Sequence, residues 1–195
     1  QYVDHNKITI FDNFSRDTFS SSEFYKHSNI SVIKGDVRNY DQVCAATEGQ
    51  DIIVHAAGIA GIDTVIQRPV DTMEVNMLGT ANVLRAASQL TNLKRLIDFS
   101  TSEVFGPMSF KSNEEDQTVA GSAGEARWTY AVSKLAGEHL THAYYNQTKL
   151  PAVTVRPFNV YGPGQTGEGA LINFIKQALL DKPITIHGDG SQIRA

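Results

Sequence analysis

Short runs of apolar and β-branched residues, each bounded by polar residues or glycine, recur along the chain. Such runs are typical of β-strands, because branched side chains pack well on a pleated sheet and the flanking residues favour turns. Five strands are predicted: KITIFD (7–12), ISVIKGD (30–36), DIIVHAAG (51–58), LKRLIDFST (93–101) and PAVTVRP (151–157). A later candidate is PITIHG (183–188).

Apolar positions recur every three or four residues in three further segments, 71–88, 130–147 and 170–180, which predicts helices. The apolar positions that define these faces include Met73, Met77, Ala81 and Leu84 in the first helix and Leu135, Leu140, Ala143 and Tyr144 in the second. Alternating strands and helices predict an α/β fold with a doubly wound parallel sheet. Such sheets bind ligands beyond the carboxyl ends of their strands, so candidate chemistry is sought there.

Composition and charge exclude some classes of partner. The formal net charge is −4 and no block of like charge occurs, so neither a nucleic acid nor a membrane surface is predicted. The apolar runs are far shorter than a bilayer span. The single cysteine, Cys44, is predicted to be a small buried hydrophobe. With no disulfide possible within the chain, a cytoplasmic location is predicted.

Acidic residues close the first two predicted strands. Asp12, followed by Asn13, could accept hydrogen bonds from an adenosine ribose and would repel a 2′-phosphate, which favours NAD over NADP. Asp36 could accept from an adenine amino group, with Val37 beside the ring. The alternative in both places is ordinary turn chemistry with no ligand.

Small residues close the third strand, and polar residues close the fourth. Ala56, Ala57 and Gly58 would let the backbone approach a pyrophosphate or a nicotinamide ribose, whereas His55 is expected to pack. The fourth strand ends in the polar sequence Ser100, Thr101, Ser102 and Glu103. Burying these groups costs free energy unless they have partners or a task, and the alternative is a solvated loop.

Tyr130 and Lys134 are four residues apart, so they share one helix face. A neighbouring ammonium and a positively charged nicotinamide would lower the pKa of the phenol from about 10, so that Tyr130 could exchange a hydroxyl proton. A Tyr-x-x-x-Lys pair alone is a common coincidence. On the same helix, His139 and His142 beside Glu138 indicate a solvated or subunit-facing surface rather than a metal site, because no further ligand follows at a useful spacing.

Taken together, these stretches resemble the extended short-chain dehydrogenase/reductases, and among them the NAD-dependent nucleotide-sugar epimerase/dehydratase family. The matching stretches are TIFDNFS, KGDVRN, IIVHAAG, VNMLGTANVL, STSEVFG, YAVSKLAGE, VRPFNVYGPGQ and IHGDGSQIRA. The resemblance implies a Rossmann-type fold that binds NAD and acts on a nucleotide sugar, most often a UDP-sugar. It also implies a homodimer formed through a four-helix bundle, to which the helices near 71–88 and 128–145 contribute.

The resemblance also implies residue roles. Thr101, Glu103, Tyr130 and Lys134 would be catalytic, with Tyr130 as the base and Lys134 as the clamp on the ribose. The cofactor would contact Asp12, Asn13, Asp36, Val37, Ala56, Ala57, Gly58, Asn76, Ser100, Tyr130, Lys134 and Pro157. The substrate would contact Ser102, Asn159 and Arg194, since a guanidinium suits a diphosphate. No metal is implied.

The resemblance divides the chain into an NAD-binding domain (1–160) and the beginning of a substrate-binding domain (161–195). The family's first strand and its glycine-rich phosphate turn are absent from this sequence. Because that strand is central in the 3-2-1-4-5-6 order, about 20 to 30 further N-terminal residues are expected in the native protein, together with more of the substrate domain. The loop at 112–125, rich in Gly, Ser and Glu, is expected to help form the sugar-nucleotide pocket.

The shared first reaction step would be oxidation at C4 of the sugar to a 4-keto intermediate. The pair Ser102-Glu103 after Thr101 is similar to UDP-glucuronate decarboxylases and GDP-mannose dehydratases, and Asp12 argues against the NADP-using GDP-mannose type. This favours a decarboxylation or dehydration assisted by Glu103. Two alternatives remain open, a simple UDP-sugar 4-epimerase and a non-catalytic NAD-binding sensor or scaffold.

Overall fold

Five parallel strands organise the computed structural model, which describes residues 3–107, 111–162, 165, 169–186 and 188–189. The strands are β1 (Ile8–Asp12), β2 (Ile30–Lys34), β3 (Ile52–His55), β4 (Arg95–Phe99) and β5 (Ala152–Val155). They form two separate ladders, β1–β2 and β3–β4–β5, and every pairing is parallel. All five strands predicted from the apolar runs are therefore confirmed.

The two ladders are separated by a gap between β1 and β3. A cavity of about 340 Å³ lies there, lined by residues of both strands. Ile52 and Val54 of β3 are exposed, although both are apolar residues of a parallel strand. The gap lies at the position where the 3-2-1-4-5-6 order would put the expected central strand, and that strand itself stays a prediction.

Helices connect the strands, as expected for a parallel sheet. They are α1 (Tyr40–Thr47), α2 (Ile62–Gln67), α3 (Pro69–Met73), α4 (Gly79–Ala87), α5 (Arg127–Thr148) and α6 (Ala170–Leu179), with a π-helical segment at Glu74–Leu78 and a 3₁₀ segment at Ser102–Phe105. The predicted helix at 71–88 is thus one run, from α3 through the π segment to α4. The short helices α1 and α2 were not predicted.

The late strand candidate is wrong over residues 183–186, which are irregular. Thr185 pairs with α6: its backbone N–H donates to Gln177 Oε1 at 3.2 Å, and Gln177 Nε2 donates to Thr185 Oγ1 at 3.4 Å. Without a strand beside it, an isolated β-type sequence has no ladder to join.

The main hydrophobic core contains the fully buried side chains of Leu84 and Leu96 and the nearly buried Val43 and Leu150. Cys44 packs against this cluster but is only partly buried. The core joins α1, α4, β4 and Leu150, which lies between α5 and β5.

The predicted helices at 71–88 and 130–147 are confirmed, and their buried faces include polar side chains. Leu84 is buried, and the positions with the lowest exposure around the π segment are Thr72, Asn76 and Thr80. Along α5 the most buried side chains include Ala131, Ser133, Lys134, Glu138 and Thr141, whereas Ala143 is exposed. These polar groups are tolerated because most of them are paired, as the site shows.

Candidate active site

A cleft of about 460 Å³ lies at the carboxyl ends of β1, β2 and β3. It brings together seven of the predicted cofactor residues: Asp12, Asn13, Asp36, Val37, Ala56, Ala57 and Gly58. They converge because the carboxyl ends of parallel strands share one edge of a sheet. The carboxylates face the side of the cleft formed by β1 and β2, and the small residues form the side after β3.

Asp12 and Asn13 shape the turn after β1. The backbone N–H of Phe14 donates to Asp12 Oδ1 at 2.6 Å, and that of Ser15 donates to Asn13 Oδ1 at 2.9 Å. Phe14 adopts a left-handed conformation with φ of 59°. Turn chemistry is therefore present, and it leaves the second Asp12 oxygen available to a ligand in the cleft.

The Asp36 carboxylate is held by Arg38, a residue that the sequence patterns did not single out. Arg38 Nη2 donates to Asp36 Oδ2 at 2.7 Å, and Arg38 Nε and its backbone N–H donate to Oδ1 at 3.1 and 2.9 Å. This side-chain hydrogen bonding with Arg38 lowers the pKa of Asp36. Since a carboxylate has about four acceptor sites, little capacity remains for an adenine amino group.

Val37 lines the cleft but is largely covered by its neighbours. It is buried, and a Cβ placed on Gly79 would come within 2.6 Å of Val37 Cγ2. The glycine at the start of α4 therefore allows this helix to pack closely on the end of β2. Asn82 Nδ2 fixes the same segment by donating to the carbonyl of Val37 at 2.9 Å.

Asn76 anchors the segment after β3. Its Oδ1 accepts from the backbone N–H of Ile59 at 2.8 Å, and its Nδ2 donates to the carbonyl of Ile59 at 3.1 Å and to Ser133 Oγ at 3.0 Å. The side chain is fully buried on the π segment, a type of helix irregularity that often occurs at functional sites. Asn76 therefore ties the end of β3 to α5.

Ser133, which the sequence motifs did not assign, completes this connection. Its hydroxyl accepts from Asn76 and donates to the carbonyl of Tyr130 at 2.7 Å. The signal that could have found it is its position on the turn between Tyr130 and Lys134, where a fully buried hydroxyl requires partners.

The predicted catalytic groups converge at the end of β4. Thr101 is buried and caps the 3₁₀ segment by accepting from the backbone N–H of Glu103 at 3.3 Å. Ser100 is also buried, and its hydroxyl has no hydrogen-bond partner among the described residues. The N–H of Ser102 donates to the carbonyl of Pro157 at 3.1 Å, which places Pro157 beside this turn.

The protein groups around Tyr130 raise the pKa of its phenol. Burial is the largest cause, a side-chain hydrogen bond with Thr101 opposes it, and the Glu103 carboxylate raises the pKa further. This direction is opposite to the predicted one, in which Lys134 and a positively charged nicotinamide lowered the pKa. The protein residues alone therefore do not produce the predicted lowering.

Lys134 reaches the carboxyl end of β3. A Cβ placed on Gly58 would lie 3.8 Å from Lys134 Nζ and 3.0 Å from Asn76 Oδ1, so the glycine keeps this corner open. Burial lowers the pKa of Lys134, and the carboxylates of Asp98 and Glu138 oppose that effect. The ammonium thus lies where the cleft meets the end of β4.

His55 packs, as predicted. It is almost fully buried, its Nε2 lies 3.0 Å from Thr80 Oγ1, and burial lowers its pKa to about 3. Glu138, in contrast, is not solvated as predicted, because it is 4% exposed and forms a bidentate pair with Arg156. Within the described ranges, no cluster of three metal-ligating side chains occurs, and no helix is long and apolar enough to cross a bilayer.

Some predicted substrate residues are not brought to the cleft by contacts in the described chain. Asn159 is exposed beyond β5, and Arg194 lies outside the described residues. The predicted loop at 112–125 is irregular and is held near β5, where Arg156 Nη1 donates to the carbonyl of Glu114 at 3.2 Å. Its backbone also reaches the 3₁₀ segment, since the N–H of Val119 donates to the carbonyl of Val104.

The chain matches a known protein family. Residues 4–195 match the profile of the NAD dependent epimerase/dehydratase family. The chain belongs to this family. The match covers nearly the whole chain, so the resemblance read from its motifs is confirmed.

Several family members show the range of activities. The chain is 33% identical over 192 residues to the UDP-N-acetyl-alpha-D-glucosaminuronate decarboxylase of Bacillus cytotoxicus, covering 96% of this chain and 58% of that protein. It is 32% identical over 180 residues to the human dTDP-D-glucose 4,6-dehydratase, covering 91% and 48%. It also matches the crystal structure of UDP-glucuronic acid 4-epimerase from Bacillus cereus in complex with UDP-glucuronic acid and NAD, with 34% identity, coverage of 88% and 52%, and a TM-score of 0.78. The chain thus spans about half the length of these family members.

Proposed function

We propose that the protein is an NAD-dependent nucleotide-sugar enzyme that oxidises C4 of a nucleotide-linked hexose to a 4-keto intermediate. The observation that carries the proposal is that Tyr130 forms a side-chain hydrogen bond with Thr101, while Lys134 Nζ lies close to Gly58, which lines the cleft at the ends of β1, β2 and β3. A proton-accepting group near such a cleft suits hydride transfer from a secondary alcohol.

The residues present fit an NAD cofactor. Gly58 keeps space open between Asn76 and Lys134, and the buried Ser100 hydroxyl offers a hydrogen bond that no described residue takes. Asp12 would hold the adenosine ribose, and the backbone at 56–58 would lie near the diphosphate and the nicotinamide ribose. NAD, when bound, would supply the hydride acceptor.

In this proposal Tyr130 accepts the proton of the C4 hydroxyl, while Thr101 shares the hydrogen bond to that oxygen. Lys134 binds the ribose and adds positive charge near the phenolate that forms. Since burial and Glu103 raise the pKa of Tyr130, the positive charges of Lys134 and the bound nicotinamide have to offset them.

The subsequent step is assigned to Glu103. Its side chain is exposed on the 3₁₀ segment, two residues after the Thr101 cap, and its charge acts on the Tyr130 phenol. A carboxylate in this position suits decarboxylation or dehydration of the 4-keto sugar, and the similarity to a decarboxylase and a dehydratase supports this choice. The similarity to a 4-epimerase supports simple C4 epimerisation as the second candidate.

Ser102, Asn159 and Arg194 are proposed to contact the substrate, a UDP-sugar in our proposal, and residues 161–195 to begin its binding domain. A homodimer is proposed through the surface of α3, the π segment and α5. Exposed apolar side chains on these elements, such as Val70, Leu78 and Val132, support that surface.

The test incubates the full chain with UDP-, dTDP- and GDP-sugars and NAD, and measures the product mass. Loss of carbon dioxide would indicate decarboxylation, loss of water would indicate dehydration, and an unchanged mass with a new isomer would indicate epimerisation. Tyr130→Phe should abolish turnover, whereas the matched control Tyr145→Phe, on the exposed side of α5, should not. Undiminished turnover in Tyr130→Phe would refute the mechanism, and NAD binding without turnover of any sugar would favour the non-catalytic sensor or scaffold.

A further inference from the structure

The side of α5 that faces the sheet carries charged and polar groups on successive turns. Lys134, Glu138 and Thr141 are spaced four and three residues apart, and each is no more than 6% exposed. Burying two ionisable side chains on one helix face is costly unless opposite charges lie nearby. The sheet below α5 must therefore supply compensating groups.

A polar row crosses the three-stranded ladder under this helix. In the parallel register, His55 of β3 lies opposite Asp98 of β4, and Asp98 lies opposite Thr154 of β5. Asp98 is 2% exposed and its Oδ2 accepts a long hydrogen bond of 3.4 Å from Thr141 Oγ1. Within the described chain, Asp98 Oδ1 and Thr154 Oγ1 are buried without hydrogen-bond partners.

Two of the ionisable groups in this layer, Glu138 and His55, are already compensated or neutral. Arg156, from the end of β5, donates to both oxygens of Glu138, with Nη2 at 2.7 Å from Oε2 and Nε at 2.9 Å from Oε1. This bidentate pair neutralises Glu138. His55 is kept neutral by burial and by the Lys134 charge, which lower its pKa to about 3.

Two ionisable groups are left, Asp98 and Lys134. Burial raises the pKa of Asp98 and lowers that of Lys134, so each would become neutral on its own. In both cases the charge of the other group is the largest opposing effect. Each charged form therefore depends on the other.

We propose that Asp98 is a positioning residue that supplies the buried negative charge by which the Lys134 side chain is held as an ammonium at the carboxyl end of β3. The proposal rests on the proposed function only where it concerns turnover. Asp98 is buried in β4 and does not line the cleft, so in our proposal it acts on the reaction through Lys134. Of the other charged groups near Lys134, Glu138 also favours the ammonium but is paired with Arg156, and His55 is kept neutral mainly by burial.

The direct test follows the ionisation of Lys134 by NMR of lysine side-chain carbons in the full chain, with Lys134→Met used to assign the signal. In Asp98→Asn the attraction between the carboxylate and Lys134 is lost while Lys134 stays buried. We therefore expect the titration midpoint of Lys134 to fall by about one pH unit or more, a change of about tenfold in its ionisation constant. The control Asp51→Asn removes an exposed carboxylate that pairs with Lys94 and should leave the Lys134 midpoint unchanged. An unchanged midpoint in Asp98→Asn would overturn the proposal.

A measurement on the unmodified protein covers the case in which Asp98→Asn does not fold. The side-chain carboxyl carbon of Asp98, assigned through the backbone, should report an ionised group at neutral pH. A protonated Asp98 at that pH would overturn the proposal.

Turnover gives a further and separate readout. If a sugar substrate is found, Asp98→Asn should show a lower rate at neutral pH and a displaced pH profile, whereas a merely structural role would lower the rate equally at every pH. If no sugar is turned over, the proposed function fails, but the NMR measurements still test the role of Asp98.

Discussion

The Glu138–Arg156 pair offers a sharp test of how the buried polar face of α5 is stabilised. We consider Glu138→Gln, which keeps the shape of the side chain but removes its charge. The glutamate side chain is 5% exposed and the arginine side chain 17% exposed, so little water can replace the lost carboxylate. Breaking a buried pair by removing one partner typically costs about 3–5 kcal/mol, because the remaining charge is uncompensated.

Other contacts of Arg156 partly compensate its charge when Glu138 is replaced. Its guanidinium lies 4.8 Å from the centroid of the Phe105 ring and also donates to the carbonyl of Glu114. These contacts and the retained glutamine oxygen offset part of the loss, so we expect about 2–4 kcal/mol less free energy of unfolding. The assay is urea unfolding of the full chain followed by circular dichroism, with the slope of the transition checked for constancy.

Asp51→Asn is the matched control, because the Lys94–Asp51 pair has a similar N–O distance of 3.0 Å but both side chains are mostly exposed. Its loss should cost at most about 1 kcal/mol. The double variant Glu138→Gln with Arg156→Met should be less destabilised than the sum of the single variants, since it leaves no unpaired charge. Equal losses in Glu138→Gln and Asp51→Asn would refute the reasoning.

Two further predictions concern other buried polar groups. Asn76→Leu leaves the N–H and carbonyl of Ile59 and the hydroxyl of Ser133 without this partner, so the free energy of unfolding should fall by about 2 kcal/mol or more. NAD affinity, measured by calorimetry, should fall as well. An unchanged free energy of unfolding would show that Asn76 does not anchor the segment after β3. His55 has a folded-state pKa of about 3, below its unfolded value of about 6.5, so its contribution to stability is complete above pH 6.5 and is lost as the pH falls towards 3, at up to about 1.4 kcal/mol per pH unit. His55→Gln should weaken this acid sensitivity in urea titrations between pH 4 and 7, and an NMR midpoint of His55 near 6.5 would contradict it.

The strands and the carboxyl-end residues were predictable because they depend on local patterns. Branched runs at the positions of β1 to β5 identified the strands, and parallel topology then required their ends to meet. That is why Asp12, Asp36 and Gly58, distant in sequence, could be assigned to one cleft before any geometry was known.

Two of the differences from the sequence predictions have a common physical cause, which is that the partner of a polar group lies elsewhere in the chain. Glu138 pairs with Arg156, which follows β5, so Glu138 is buried instead of solvated. Arg38, in contrast, pairs with Asp36 through a local turn. In the strand candidate at 183–186, the backbone N–H of Thr185 pairs with Gln177 of α6 instead of with a neighbouring strand. For Glu138 and for this segment, a partner outside the local pattern overrides local propensity.

The polar face of α5 also follows from the position that Tyr130 and Lys134 must occupy. For Lys134 to reach the end of β3, its stem has to pass between α5 and the sheet, so this turn of the helix cannot pack with apolar side chains alone. The next turn then faces the same layer and carries Glu138, whose charge Arg156 neutralises. A buried ammonium without its own counter-charge would tend to lose its proton, and Asp98 is the remaining buried carboxylate among the described groups that act on Lys134. In our proposal, the need to present a charged lysine at the cleft accounts for the aspartate in the core strand β4.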